Sequence, residues 1–346
     1  MMEAAKVYTE RKSKRAAYKM RKKQQRDANN ESSTDIKNPE HVKWETEFVT
    51  HKYIPEPKKN TTFSLPKLFT DKSIRFGQVV DTTNCNRAVL FLYRRVVPRV
   101  LFLGESTKAY AGFGSVFLGT WRRYCKHLFT TGDSKKLVSS DLEADVVNDL
   151  GPLLGFLQNF LKKNLPVLYH HHLRLRKLLQ KHKEIVKQDV ASFATKTDLS
   201  SSQLGILEDS FLGIFNLVCI GHKSGRSMDF HRDVNNLAFG YNIVLPFGEF
   251  EGGAMQFPGM NFEVDVLPGD ILVFDAEFYQ HCLSQVNGNR YSVIVFGCKN
   301  AGDELYGENG LDEAKLVSGT NVTDDWFAKE GLVRYFNPME GRNKEG

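Results

Sequence analysis

Between residues 211 and 298 the apolar positions fall into short runs: Gly213–Ile220, Tyr241–Phe247, Ala254–Phe257, Phe262–Val266, Ile271–Phe274 and Tyr291–Phe296. Gly252-Gly253 and Pro268-Gly269-Asp270 stand between runs as turn signals. Many short, evenly spaced strands predict a double-sheet jelly roll. Upstream the pattern changes. Ala88–Leu92 and Val100–Leu103 read as strands, whereas Leu142–Leu161 repeats its apolar residues at helical spacing after the capping residues Ser139-Ser140-Asp141. A second helix is expected from Pro166 to about Val190, with its Pro in the tolerated first turn. The expected fold class is therefore α+β: a double-stranded β-helix core, jelly-roll and cupin-like, with supporting helices.

The ends follow other rules. Residues 1–40 lack sustained apolar periodicity and read as a basic, mostly disordered arm. Residues 41–205 form a lead-in with strands and two long helices, 206–300 the jelly-roll core, and 301–346 a C-terminal extension with a short helix near Asp324–Glu330. The chain carries a net charge of +6. Residues 1–27 hold six Lys and four Arg against Glu3, Glu10 and Asp27, a net of +7, so the other 319 residues carry −1. Lys12-Ser13-Lys14-Arg15 and Arg21-Lys22-Lys23 resemble nuclear-localisation or nucleic-acid-binding runs, which places the expected location in the nucleus; a solvated tail is the alternative. Five scattered cysteines without a Cys-x-x-Cys pair argue for a reducing compartment and against a zinc cluster. No stretch has the ~18 consecutive apolar residues of a membrane span.

Chemistry concentrates near the C-terminal end of the core. In His231-Arg232-Asp233 the outer residues are two apart, so on a strand both face one way. His281 can complete a two-histidine, one-carboxylate face, the ligand set of non-haem Fe(II) oxygenases. Arg290 can grip a carboxylate with two parallel hydrogen bonds, as a 2-oxoglutarate co-substrate requires. Strand alternation puts Arg290, Ser292, Ile294 and Phe296 on one face, with Ser292 able to reach the same carboxylate and Ile294 and Phe296 lining the barrel. Two other features carry less. The glycines in 111–120 fit no phosphate-binding motif, and His170-His171-His172 on a helix point about 100° apart and cannot share one metal.

Phe211–Cys298 resembles the catalytic core of the ten-eleven-translocation (TET) and J-binding-protein family of Fe(II)/2-oxoglutarate dioxygenases, in its compact fungal or microbial-eukaryote form. The matching words are His231-Arg-Asp-Val-Asn-Asn236, Gly252-Gly-Ala-Met-Gln-Phe257, Pro268-Gly-Asp-Ile-Leu-Val-Phe274, and His281 with Arg290-Tyr-Ser292. The resemblance implies Fe(II) on His231, Asp233 and His281, and 2-oxoglutarate on Arg290 with help from Ser292 and Arg226. It implies that Asn236, with its neighbour Asn235, faces a target base, and that O2 is consumed. The implied reaction is oxidation of a pyrimidine 5-methyl group in nucleic acid, 5-methylcytosine in DNA ahead of thymine, RNA or a protein side chain. A non-catalytic nucleic-acid-binding relative is the competing class. The cysteine-rich regions and the long insert of animal-type members are absent, so the basic arm or the 166–190 helix would have to grip DNA in their place.

Overall fold

The computed structural model describes residues 46–299 except 52–64, 72, 82–86, 113, 122–128, 182, 197, 201–202, 205–206, 208–209, 226 and 238–239. The basic arm, the 301–346 extension with its expected helix, and Arg226 lie outside the described residues. In the lead-in the strands are β1 (Thr46–His51), β2 (Lys67–Leu68), β3 (Phe76–Asp81), β4 (Arg87–Tyr93), β5 (Ser115–Trp121) and β6 (Phe129–Thr130). Helices α1 (Glu105–Ala111), α2 (Gly132–Val138), α3 (Glu143–Asn164), α4 (Pro166–Lys181) and α5 (Lys183–Ala194) accompany them. The core strands are β7 (Leu217–Ser224), β8 (Asn242–Phe247), β9 (Phe250–Gly252), β10 (Met255–Phe257) and β11 (Phe262–Val264). They are followed by β12 (Ile271–Phe274), β13 (Cys282–Leu283) and β14 (Val286–Phe296).

Two sheets result. The ten-stranded sheet runs β1-β3-β4-β12-β8-β14-β7-β5-β6, with β9 on β14; the four-stranded sheet runs β13-β10-β11-β2. From β7 onward the chain alternates between them: β8 lies in the large sheet, β10 and β11 in the small, β12 in the large, β13 in the small and β14 in the large. That alternation is the double-stranded β-helix expected from the spacing of the runs.

Each face of the large sheet has its own core. Ile243, Leu245, Val273, Val293 and Val295 pack toward the helices; Val244, Leu272 and Phe274 pack with Met255, Phe257 and Phe262 between the sheets. All six positions of β8 are buried, as befits a strand covered on both sides. Helix α3 seals the first core with Val146, Leu150, Leu153, Leu154, Leu157 and Leu161. Full burial of such a side chain contributes about 2 kcal/mol. Pro152 sits on the exposed side of that helix, where its missing N–H faces water.

The turn at Pro268-Gly269-Asp270 anchors β12. Asp270 is fully buried and accepts from Arg94 Nη1 at 2.7 Å and from the backbone N–H groups of Arg95 and Leu267, both at 2.9 Å. Losing one partner of such a buried pair costs about 3–5 kcal/mol. Several expectations are corrected. Val100–Leu103 is not a strand: Pro98 precedes a 3-10 turn over Arg99–Leu101, Val100 is 57% exposed, and Leu103 turns into the helical core. Ser139 and Ser140 do not cap α3; their hydroxyls donate back to the Lys135 and Leu137 carbonyls and close α2, while α3 starts from Leu142. The helix expected over 166–190 is found as α4 and α5 on either side of residue 182. Cys219, Cys282 and Cys298 are buried free thiols, and among the described residues no helix is long and apolar enough to cross a membrane.

Candidate active site

His231 and His281 face each other across an antiparallel bridge, each backbone N–H donating to the other's carbonyl at 2.9 Å. Directly opposed residues put their side chains on the same face, and the imidazole centroids lie 4.4 Å apart. The His231 Nδ1 lies 2.8 Å from the Asp229 carbonyl and the His281 Nδ1 3.0 Å from that of Tyr279. A carbonyl only accepts, so each Nδ1 carries a proton and Nε2 is the ring nitrogen left to face an ion. Phe274 meets the His281 ring edge-on at 4.8 Å, and Phe257 packs at 6.5 Å. Burial pushes the His281 imidazole down to about 4, with His231 adding to the effect and Asp233 and the Tyr279 carbonyl opposing it. It is therefore neutral, as a ligand must be.

Asp233 completes the face. Its backbone N–H is held by the Ala276 carbonyl at 2.9 Å, and Oδ1 lies 3.7 Å from His231 Nε2. One ligand atom from each of His231, Asp233 and His281 falls within 4.8 Å of the others. Two imidazoles and one carboxylate oxygen converging in this way fit a divalent iron-type ion and leave other coordination positions open. The other carboxylate oxygen, Oδ2, accepts from Asn242 Nδ2 at 2.7 Å and Asn236 Nδ2 at 3.2 Å; Asn236 Nδ2 also donates to Asn242 Oδ1 at 2.7 Å.

Arg290 comes from β14 and is 1% exposed. Nη1 donates to the Gly253 carbonyl at 2.5 Å, Nε reaches Ser292 Oγ at 3.4 Å, and the guanidinium sits 5.0 Å from the Phe250 ring centroid. Burial pulls it down to about 10 against the pull of Asp270, so it stays a cation at neutral pH. No described carboxylate forms an ion pair with it; Asp270 is engaged by Arg94. Lys223, its register partner on β7, brings a second cation to the same side of the sheet.

Ile294 packs against the inter-sheet core as expected; Phe296 does not line the barrel but packs against the helix-side core at the end of β14, meeting Phe117 edge-on at 6.4 Å. Asn235, two residues after Asp233, is exposed, and its carbonyl accepts from the Lys299 N–H at 2.9 Å. The sequence reading missed Asn242 and Lys223, and it read Gly253 only as a turn. An amide at the head of the apolar run Asn242–Phe247 was the available signal for the first.

A jelly roll with two histidines and a carboxylate on one face, and a buried arginine on the strand beyond, has the fold and site of an Fe(II)/2-oxoglutarate-dependent dioxygenase. Among solved structures the chain is similar to NgTET1 in complex with 5mC DNA: 15% identity, 75% of this chain and 84% of that chain covered, TM-score 0.46. It is also similar to a 2OG-Fe(II) oxygenase family oxidoreductase from Burkholderia pseudomallei, at 14% identity over 33% of this chain and 61% of that one, TM-score 0.22. A viral collagen prolyl hydroxylase from Paramecium Bursaria Chlorella virus-1 shares 15% identity over 24% of this chain and 57% of that one, TM-score 0.21. No family model and no curated protein matches.

Proposed function

We propose that this chain is an Fe(II)/2-oxoglutarate-dependent dioxygenase that oxidises the 5-methyl group of a pyrimidine base in nucleic acid, 5-methylcytosine in DNA before thymine. The observation that carries the co-substrate is Arg290. A guanidinium this deeply buried with no described carboxylate partner is costly unless an anion joins it. It belongs to the same inter-sheet side as the histidine and carboxylate face, and a dicarboxylic keto acid can serve both places.

The residues divide the work. His231, Asp233 and His281 hold Fe(II), and Arg290 with Ser292 takes the distal carboxylate of 2-oxoglutarate, with Arg226 as a second contact. Bound there, Fe(II) with 2-oxoglutarate and O2 would supply the oxidising power for methyl hydroxylation, 2-oxoglutarate being converted to succinate and CO2. The protein orients the partners and excludes water. A base within a duplex must be flipped out to reach such a site, at a cost of a few kcal/mol. Asn235 on the exposed turn and the amide oxygen of Asn236 face it, both Asn236 amide protons being used inside the protein. The basic arm supplies phosphate contacts and nuclear targeting.

The substrate class rests on the sequence words shared with the TET and J-binding family. Nucleoside mass spectrometry after incubation of the full chain with Fe(II), 2-oxoglutarate and 5-methylcytosine DNA tests it. Oxidised 5-methylcytosine is the expected product. Its absence, with 2-oxoglutarate still turned over, refutes the base assignment in favour of thymine, RNA or a protein side chain.

A further inference from the structure

We infer that Asn242 is a positioning residue for the metal centre, holding Asp233 as a one-oxygen ligand. The inference rests on the metal reading above. A carboxylate has two oxygens and four lone-pair sites and can bind an ion through either or both. Here the two oxygens are differentiated before any ion arrives. Oδ1 faces His231, and Oδ2 is taken by the Asn242 amide at 2.7 Å, with Asn236 behind it at 3.2 Å.

The orientation of the pair is fixed by its own chemistry. Oδ2 only accepts, so both asparagines must turn their NH2 groups toward it. With its NH2 group turned to Oδ2, Asn242 presents its oxygen to Asn236, whose second N–H donates to it at 2.7 Å. Asn242 is 5% exposed, so water does not compete for this bond. It also stands opposite Phe274, whose ring packs on His281, so one register pair of β8 and β12 supports two of the three ligands.

The backbone is bent to bring it there. Tyr241, immediately before it, has φ 37°, a left-handed conformation that costs a bulky residue energy. The Tyr241 hydroxyl donates to the Ala88 carbonyl at 2.8 Å and holds that turn. At Gly240 an added Cβ would meet the Leu237 carbonyl oxygen at 2.8 Å. The segment accepts this conformation, and Asn242 returns to within a hydrogen bond of Asp233, nine residues earlier.

The test is Co(II) titration of the full-length apoprotein, followed by the visible absorption of the bound ion, with no turnover involved. Asn242→Leu keeps the size and removes the donor. Loss of an outer partner of a metal ligand costs about ten- to a hundredfold in affinity. We expect that loss, together with a changed absorption spectrum because Oδ2 is released toward the ion, while the apoprotein melts as cooperatively as wild type. Asn236→Leu, which removes the 3.2 Å bond to Oδ2 and the 2.7 Å bond to Asn242 Oδ1 but keeps the 2.7 Å bond from Asn242, should lose less. Wild-type affinity and spectrum in Asn242→Leu would overturn the role of Asn242 alone. If Asn242→Leu fails to fold while the isosteric Asn242→Asp folds and binds Co(II) as wild type does, the amide is structural and the inference falls. Failure of the wild-type protein to bind Co(II) would overturn the metal reading itself.

Discussion

Replacing Arg290 by Lys keeps the charge and withdraws the fork. The native guanidinium spends Nη1 on the Gly253 carbonyl at 2.5 Å and Nε on Ser292 Oγ at 3.4 Å, lies over Phe250 at 5.0 Å, and leaves Nη2 for an anion. A lysine ammonium ends short of that place and offers a point charge instead of two parallel donors. Losing one charge-assisted hydrogen bond costs about 1.5–3 kcal/mol, roughly tenfold to a hundredfold in affinity. The Kd for 2-oxoglutarate, measured anaerobically by calorimetry with Fe(II) bound, should rise by that factor, and the Michaelis constant with it. Iron content should not change, because no ligand contacts Arg290. Ser292→Ala should cost less, about 1 kcal/mol, since its 3.4 Å contact is near the limit of a hydrogen bond. An unchanged Kd in Arg290→Lys would refute the assignment of the co-substrate to this arginine.

Gly253→Ala should act on the same site from its far side: at φ +65° an added Cβ would lie 2.9 Å from Arg290 Nη1, so about 1–2 kcal/mol of melting stability should be lost and the 2-oxoglutarate Kd should rise; normal values for both would contradict the geometry. His231→Ala or Asp233→Ala should abolish stoichiometric Fe(II) binding in metal analysis and leave the circular dichroism of the fold intact, and iron retained at wild-type level would refute the ligand set. His172 is 1% exposed and packs edge-on against Phe215, and burial, with His171 adding to it, pushes its imidazole down to about 3. The unfolded chain therefore takes up a proton below about pH 6.5 that the folded chain refuses, so this group makes stability fall as pH drops, by about 2 kcal/mol near pH 5. His172→Leu should remove that slope in urea denaturation compared between about pH 5 and 7.5, and an unaltered slope would refute the burial argument.

The convergence of the candidate site residues was legible in the sequence because their chemistry is rare and their spacing local: His231 and Asp233 share a face by alternation, and Arg290 with Ser292 does the same. The six runs of the jelly roll were legible because turn residues bound them. Helices α1 and α2, seven residues each, were not, since two turns are too short to show a period. Val100 misled because an apolar pair after Pro98 reads like a strand when no partner strand is in view. Strand β1 pairs in parallel with β3 across a long separation, which no local pattern encodes. Asn242 escaped notice because its role depends on a turn bringing it back over Asp233, a relation set by the Tyr241 backbone and not by composition.

The bridge between His231 and His281 has a consequence for how the centre breathes. His231 belongs to no extended strand; its pairing to the small sheet rests on the two bonds it exchanges with His281 and on the Met228 N–H to the Leu283 carbonyl. A rung with so little ladder beside it opens locally at far less free energy than the doubly covered strand at Asn242–Phe247. An ion gripping both imidazoles ties the rung from the side-chain side and must be released before it can part. Deuterium uptake at the His231 and His281 amides therefore becomes a gauge of occupancy, slowing when Fe(II) or Co(II) is added while the amide of Val244 barely responds. An iron-depleted molecule is expected to keep its barrel and loosen at this rung alone.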